Sequence, residues 1–227
     1  ALIMTLPLLG NIITASAFTR LQAFSKSSVL GVDEVVEGGQ TMNPSTEELL
    51  VASNEINADA VIILPNNSNV IMAAEQAVHL SERRIEVVQT KSVMQAVTAL
   101  IAYEPEGEID EVASAMRQEI ENVKYGEITY AVRDSSVNGF KITNGDVLGI
   151  LAGEIVAVCP KIDEAVAQLL RSMVDDSTEL ITLFYGEDIS AEEAAAISTM
   201  IQEKYEDAEV EIHYGGQPHY SFLLSAE

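Results

Sequence analysis

The sequence predicts an α/β fold in two lobes. Residues 1–104 read as an α/β lobe with a mostly parallel sheet flanked by helices, and residues 105–227 as an α+β lobe with a mixed or antiparallel sheet. Three observations lead there. First, the apolar run Val61-Ile62-Ile63-Leu64 stops at Pro65 and the polar turn Asn66-Asn67-Ser68-Asn69, after which Val70, Ala73, Ala74, Ala77 and Val78 recur at helical spacing. A β-branched run without alternation is a strand buried on both faces, as in a parallel sheet. Second, strand, polar turn and helix alternate on either side of this stretch, giving a βαβαβα series and a three-layer lobe. Third, after Tyr103-Glu104-Pro105-Glu106-Gly107 the chain changes to short strands separated by Asn138-Gly139 and Asn144-Gly145, residues that suit hairpin turns. The lobe boundary is set at 104/105 on that proline and glycine.

In chain order, residues 1–10 are apolar but too short for a membrane span, and no basic start precedes them as in a signal peptide. No acid occurs before Asp33, and Ala1 is not an initiator methionine, which fits a chain opening inside a larger protein. Residues 11–17 read as a strand, 18–29 as a short helix, and 31–37 as a turn and a short strand. Helix 46–56 follows, with Ser45 or Thr46 as its cap and Glu47 and Glu48 favourable to its dipole. Next come strand 60–64, helix 70–81, strand 84–88 and helix 92–102. The second lobe opens with the amphipathic helix 109–123, then strands 126–133, 140–142, 147–151 and 154–158. Helix 162–174, strand 179–185, helix 190–205 and strands 210–214 and 221–225 complete it.

At 227 residues and 48% hydrophobic content the chain can bury a sizeable core. The 36 acids against 12 bases give a net charge of −24, which repels phosphate backbones and anionic membranes and steers in a partner with a basic face. Nucleic acid is therefore excluded as a partner, and no integral membrane segment is expected. Solubility alone also explains such a charge. The single cysteine, Cys159, permits no internal disulfide and fits a reducing cytoplasm; in its apolar run it reads as a core thiol.

Three predicted strands of the first lobe end in polar turns, at 38–45, 65–69 and 89–95. If neighbours, they form one rim of amides and hydroxyls at the carboxyl edge of the sheet, where α/β folds bind ligands. Asparagine there also caps helices and tolerates left-handed backbone, which for a single turn accounts for the residues without any ligand. Motifs for chemistry are lacking. There is no Walker-type loop and no GxGxxG after a strand. His79, His213 and His219 do not have metal-ligand spacing, and no nucleophile–base pair can be named, so no catalytic and no metal residue is expected. Arg133, ending a strand in a base-poor chain, either pairs with a local carboxylate such as Asp134 or faces an anionic ligand or partner.

Four stretches together carry a resemblance. They are Glu37-Gly38-Gly39-Gln40-Thr41-Met42-Asn43-Pro44-Ser45-Thr46, Leu64-Pro65-Asn66-Asn67-Ser68-Asn69, Thr129-Tyr130-Ala131-Val132-Arg133-Asp134 and Gly215-Gly216-Gln217-Pro218-His219-Tyr220. Their order resembles the kinase subunit of bacterial fatty acid kinase, of the dihydroxyacetone-kinase-like, DAK2-domain proteins. The resemblance spans about residues 31–227 and covers that family's C-terminal region, distantly similar to the DegV-type carriers and their two-lobed arrangement. It implies a noncatalytic domain that recognises a DegV-type fatty-acid-binding protein, while ATP and magnesium belong to an N-terminal domain outside this chain. That domain would phosphorylate the carried fatty acid to acyl phosphate. This chain alone is then no enzyme and holds no cofactor, although the intact protein is a kinase. The alternative is a DegV-like module binding a fatty acid or another carboxylate. A homodimer stays open as a further partnership.

The comparison sets residues 41–45, 66–69 and 90–92 where a carrier holds its acyl carboxylate, although asparagines at 66 and 67 alter the hydroxyl constellation. The expected ligand- or partner-binding residues are Gln40, Thr41, Asn43, Ser45, Asn66, Asn67, Asn69, Thr90, Ser92, Arg133 and Gln217. The family's glycine-containing turn before residue 31 is replaced by Ala15-Ser16-Ala17-Phe18-Thr19-Arg20.

Overall fold

The computed structural model describes residues 2–5, 13–14, 34–36 and 43–227. The expected helix 18–29, most of the expected strand 11–17 and residues 38–42 of the first polar turn lie outside them. The chain packs as two compact units, Ala1–Asn122 and Val123–Glu227.

The first unit contains β1 (Leu2–Thr5), β2 (Ile13–Thr14), β3 (Glu34–Val35), α1 (Thr46–Glu55), β4 (Ala60–Leu64), α2 (Ser68–Leu80), β5 (Arg84–Val87), α3 (Val93–Ile101) and α4 (Ile109–Asn122). Its sheet runs β3-β2-β1-β4-β5, with β2 also touching β4. The pairs β2–β3, β2–β4 and β4–β5 are parallel. β1 lies antiparallel to β4, with Leu2 opposite Leu64 and Thr5 opposite Val61. The opening apolar run, expected only to be too short for a membrane, thus supplies a strand. Its partner lies far along the chain, so local pattern does not announce the pairing.

β4 shows why the continuous apolar run was needed. Val61 and Ile63 join one cluster with Leu49, Ala52 and Ile56 and with Val70, Ala74 and Ala77 of α2. Ile62 and Leu64 join another with Ala96, Ala99 and Leu100 of α3 and Val112, Ala113 and Met116 of α4. Alternate side chains point to opposite faces, so a pair of helices covers each face and the strand is apolar throughout. The turn at 103–107, where the sequence reading set the lobe boundary, instead joins α3 to α4, with Gly107 N donating to Glu104 O at 3.1 Å. Helix α4 packs into the first unit through Val112, Ala113 and Met116, and the chain divides between Asn122 and Val123.

The second unit contains β6 (Lys124–Tyr130), β7 (Ser135–Val137), β8 (Phe140–Ile142), β9 (Val147–Leu151), β10 (Glu154–Cys159), α5 (Ile162–Met173), β11 (Leu180–Tyr185), α6 (Ala191–Lys204), β12 (Glu209–Tyr214) and β13 (Tyr220–Ala226). Its sheet order is β10-β9-β6-β13-β11-β12. Only β11–β12 is parallel, as the expected mixed or antiparallel sheet requires. One face packs on α5 and α6 through Ala165, Leu169, Met173, Ile197 and Ile201. Helix α5 approaches closely over glycines. A Cβ at Gly126 would sit 2.9 Å from Leu169 Cδ2, and one at Gly149 would sit 3.4 Å from Leu169 Cβ and 2.9 Å from Ala157 Cβ of the neighbouring strand β10. β7 and β8 form a separate hairpin around Asn138 and Gly139, both with positive φ (50° and 84°), the conformation Asn-Gly supports. The expected strand 126–133 ends at Tyr130, and the exposed β7 that follows carries no apolar alternation by which to predict it.

Capping boxes start α1 and α6. Ser45 Oγ accepts from Glu48 N at 3.2 Å while Glu48 Oε2 accepts from Ser45 N at 2.7 Å, and Ser190 and Glu193 repeat the arrangement. The backbone N–H and then the hydroxyl of each serine hold the Glu48 and Glu193 carboxyls below the usual carboxylate range.

The terminal Gly215-Gly216-Gln217-Pro218 turn is a latch on β11. Gly215 N and Gly216 N both donate to Tyr185 O, at 3.0 and 3.2 Å. Gln217 Nε2 donates to Phe184 O at 2.9 Å. Gly186, which follows β11, leaves no room for a side chain, since a Cβ would lie 2.3 Å from Tyr220 O and 2.7 Å from Gln217 O. Both atoms are backbone, so the clash cannot be relieved by rotating a side chain. Gly186→Ala is expected to destabilise the chain by about 2 kcal/mol, read as a lower denaturation midpoint; an unchanged midpoint contradicts the latch.

Candidate functional site

The polar rim of the first unit is built where β4 and β5, parallel neighbours, deliver their carboxyl ends to the starts of α2 and α3. Asn66 has φ +59°, a left-handed conformation that asparagine tolerates better than most residues. That conformation turns its backbone N–H onto Thr90 Oγ1 at 3.0 Å. The Thr90 hydroxyl in turn donates to Asn66 Oδ1 at 2.8 Å. Both residues are buried, Thr90 fully and Asn66 to 9% exposure. The other branch of the Asn66 amide, Nδ2, is buried without a hydrogen-bond partner. A buried donor left unmade costs about 1–3 kcal/mol, a sizeable fraction of the about 5–15 kcal/mol that holds a domain folded.

Around this pair the other polar residues have definable tasks. Asn67 caps α2, its Oδ1 accepting from Asn69 N at 2.9 Å, and its Nδ2 reaches Asn43 Oδ1 at 3.5 Å. Ser92 caps α3 by accepting from Gln95 N at 3.1 Å, and Gln95 Oε1 accepts from Lys91 N at 2.8 Å. Ser45, expected as a binding residue, is committed to its capping box with Glu48. The structure therefore brings together Asn43, Asn66, Asn67, Thr90 and Ser92, with the backbone N–H of Asn69 in the cap. Gln40 and Thr41 lie outside the described residues.

Arg133 and Gln217 belong to the second unit. Arg133 is exposed and makes no ion pair among the described residues, because the expected partner Asp134 accepts from Asn144 N at 2.8 Å instead. Gln217 is buried in the latch on β11, a structural task that the sequence pattern did not distinguish from binding. Lys91 was missed by sequence reasoning. It is exposed between β5 and α3, makes no ion pair among the described residues, and is one of only 12 bases in the chain. That scarcity, at the start of a helix, was the available signal.

Among the described residues no group of three or more His, Cys, Asp or Glu could hold a metal ion. The hydroxyl–carboxylate pairs Ser45–Glu48 and Ser190–Glu193 are helix caps. Cys159 donates to Gln168 Oε1 at 3.2 Å, and burial, with Glu164 and Asp163 adding to it, pushes its thiol pKa up, away from nucleophilic thiolate. The rim offers donors and shape. Among its described residues Asn43, Asn66, Asn67, Thr90 and Ser92 none is a general acid or base.

The sequence matches, over residues 23–227, the FakA-like C-terminal family of fatty acid kinase. The chain belongs to that family. Among its relatives, protein YloV of Bacillus subtilis is 45% identical over 198 residues, covering 87% of this chain and 36% of YloV. The uncharacterized protein SAR1202 of Staphylococcus aureus is 36% identical over 216 residues, covering 95% of this chain and 39% of the relative. The chain spans well under half the length of these curated relatives. In fold this family member is similar to the DegV family protein Cg2579 of Corynebacterium glutamicum, with TM-score 0.66 at 15% identity and 94% of both chains covered. It is also similar to the Streptococcus pneumoniae fatty acid kinase B3 protein, solved loaded with linoleic acid, with TM-score 0.58 at 12% identity, covering 100% of this chain and 89% of that one. The dihydroxyacetone kinase of C. freundii, solved with AMP-PNP and Mg2+, gives TM-score 0.60 at 12% identity over 94% of this chain and 47% of that one. Among the described residues no helix is long and apolar enough to cross a membrane.

Thr90 is the residue on which the rim turns. Thr90→Val removes both the acceptor of Asn66 N–H and the donor to Asn66 Oδ1, and is expected to lower stability by about 1–3 kcal/mol. Thr90→Ser, which keeps the hydroxyl, should lose markedly less. Chemical denaturation checks both, and a Thr90→Val chain as stable as its parent contradicts the arrangement.

Proposed function

We propose that this chain is the noncatalytic part of a fatty acid kinase that recognises a DegV-type fatty-acid-binding protein. The carrier is thereby held so that an ATP- and magnesium-binding domain elsewhere in the intact protein phosphorylates its fatty acid to acyl phosphate, in the cytoplasm. One observation carries this reading: the FakA-like C-terminal family matches residues 23–227, yet the alignment with YloV takes in 36% of that relative. Kinase chemistry needs a phosphate cradle and metal-binding carboxylates, and no such sequence motif is found here, so the reading gives the reaction to the remaining part. The acidic surface, with net charge −24, favours fast encounter with a basic face on the carrier.

A second reading, a small-ligand module, is favoured by the buried Asn66 Nδ2 that lacks a partner.

Carrier recognition is tested by surface capture of the 227-residue chain with the Streptococcus pneumoniae fatty acid kinase B3 protein as analyte. Saturable binding that weakens steeply with added salt is expected. Absence of binding by a chain whose melting transition is intact sinks the proposal.

A further inference from the structure

We propose that the rim formed by the starts of α2 and α3 binds a dianionic phosphoryl group, with Asn66 Nδ2 and Lys91 as its side-chain donors. The inference rests on the small-ligand reading and is independent of carrier docking.

The distribution of acids points to an anion site. Four of the six described helices carry two acids in the first turn: Glu47 and Glu48, Asp110 and Glu111, Asp163 and Glu164, Glu192 and Glu193. α2 and α3 carry none. Acids at a helix start neutralise the positive end of its dipole. In a chain with 36 acids and 12 bases, that neutralisation is withheld only at these two of the described helices. They are neighbours, since Asn66 and Thr90, joined at 3.0 Å, lie two and three residues before Ser68 and Val93.

The second, independent observation is the Asn66 amide. It is 9% exposed, its Oδ1 is held by Thr90, and its Nδ2 has no partner, so a donor is fixed in orientation beside two helix starts. First-turn N–H groups of Ser68, Val93 and Met94 have no acceptor within their helices. Ser92 Oγ accepts from Gln95 N, which leaves its own proton to donate. Carboxylates on adjoining elements are engaged elsewhere, Glu75 by Gln89 Nε2 at 2.5 Å and Glu48 by its cap.

Charge decides between anions. Each helix start contributes about +0.5 and Lys91 one more, about +2 in all, which matches a phosphoryl dianion better than a carboxylate. Donors arriving from three segments (the Asn66 amide, the start of α2, the start of α3) also suit a group with three oxygens over a planar one with two.

The test is a titration of inorganic phosphate into the isotopically labelled chain at constant ionic strength, followed by amide shifts, with butyrate and chloride as controls. Saturable shifts at Ser68, Lys91, Ser92 and Val93 are expected for phosphate, with affinity about tenfold or more above that for butyrate. Binding should weaken from pH 8 to pH 5, because the second ionisation of inorganic phosphate falls within that range and the dianion becomes the monoanion. Lys91→Gln, at an exposed position, should weaken it about tenfold at unchanged melting temperature. Asn66→Gly, which keeps positive φ accessible, should also weaken it and Asn66→Asp should abolish it, both with a lowered melting temperature because the bond from Thr90 is lost or altered. Butyrate binding as tightly as phosphate, shifts scattered away from the rim, or variants that bind like the parent each overturn the proposal. Carrier capture is measured on the parent chain alongside. Its absence with phosphate binding intact counts against docking alone, and the converse counts against this site alone.

Discussion

The two hydrogen bonds between Asn66 and Thr90 decide the geometry of everything at the carboxyl edge of the first sheet. They require a left-handed backbone at Asn66 and a hydroxyl at a fully buried position. Given those, α2 and α3 begin at one edge of the sheet from its opposite faces, each capped by the residue just before it, Asn67 and Ser92. Burial makes the pair consequential, because a polar contact in low dielectric is strong when complete and costly when broken. The same burial makes the free Asn66 Nδ2 conspicuous: a network otherwise closed leaves one donor unmade.

Much of this was legible in the sequence, and the reasons differ by element. The apolar run of β4 announced a strand covered on both faces, which two helix pairs achieve. Polar turns after β4 and β5 announced a rim, because asparagine, threonine and serine serve both caps and ligands. That double use also set the limit of the reading. Ser45 and Gln217 looked like binding residues and are a helix cap and a strand latch. Residue type alone does not separate those tasks; the partner atoms do. Lys91 escaped because a lone lysine in a loop reads as a solvated charge until the helix starts around it are seen to lack acids.

Long-range pairing was the other blind spot. β1 exists because β4 offers it an antiparallel edge, and nothing within residues 2–5 encodes that register. The proline and glycine at 103–107 signal a break, and the break proved to lie between two helices of one unit, since Val112, Ala113 and Met116 pack against the same cluster as Ile62 and Leu64. In the second unit, by contrast, Asn138-Gly139 predicted its hairpin turn correctly, for the local reason that both positions need positive φ. Gly126 is explained by the close approach of Leu169, and Gly149 by Ala157 of β10 together with Leu169, contacts no strand pattern foretells.

FakA-like C-terminal domains thus present, in this member, a fold similar to that of the DegV family protein Cg2579 and the fatty acid kinase B3 protein, and a polar rim at the ends of β4 and β5. The account stands on the Asn66–Thr90 lock holding that rim preformed in the free chain. Hydrogen exchange of the Asn66 backbone amide measures this directly. Protection close to that of the β4 amides, lost on Thr90→Val, is the predicted result. Exchange at the rate of an open loop in the parent chain would contradict it.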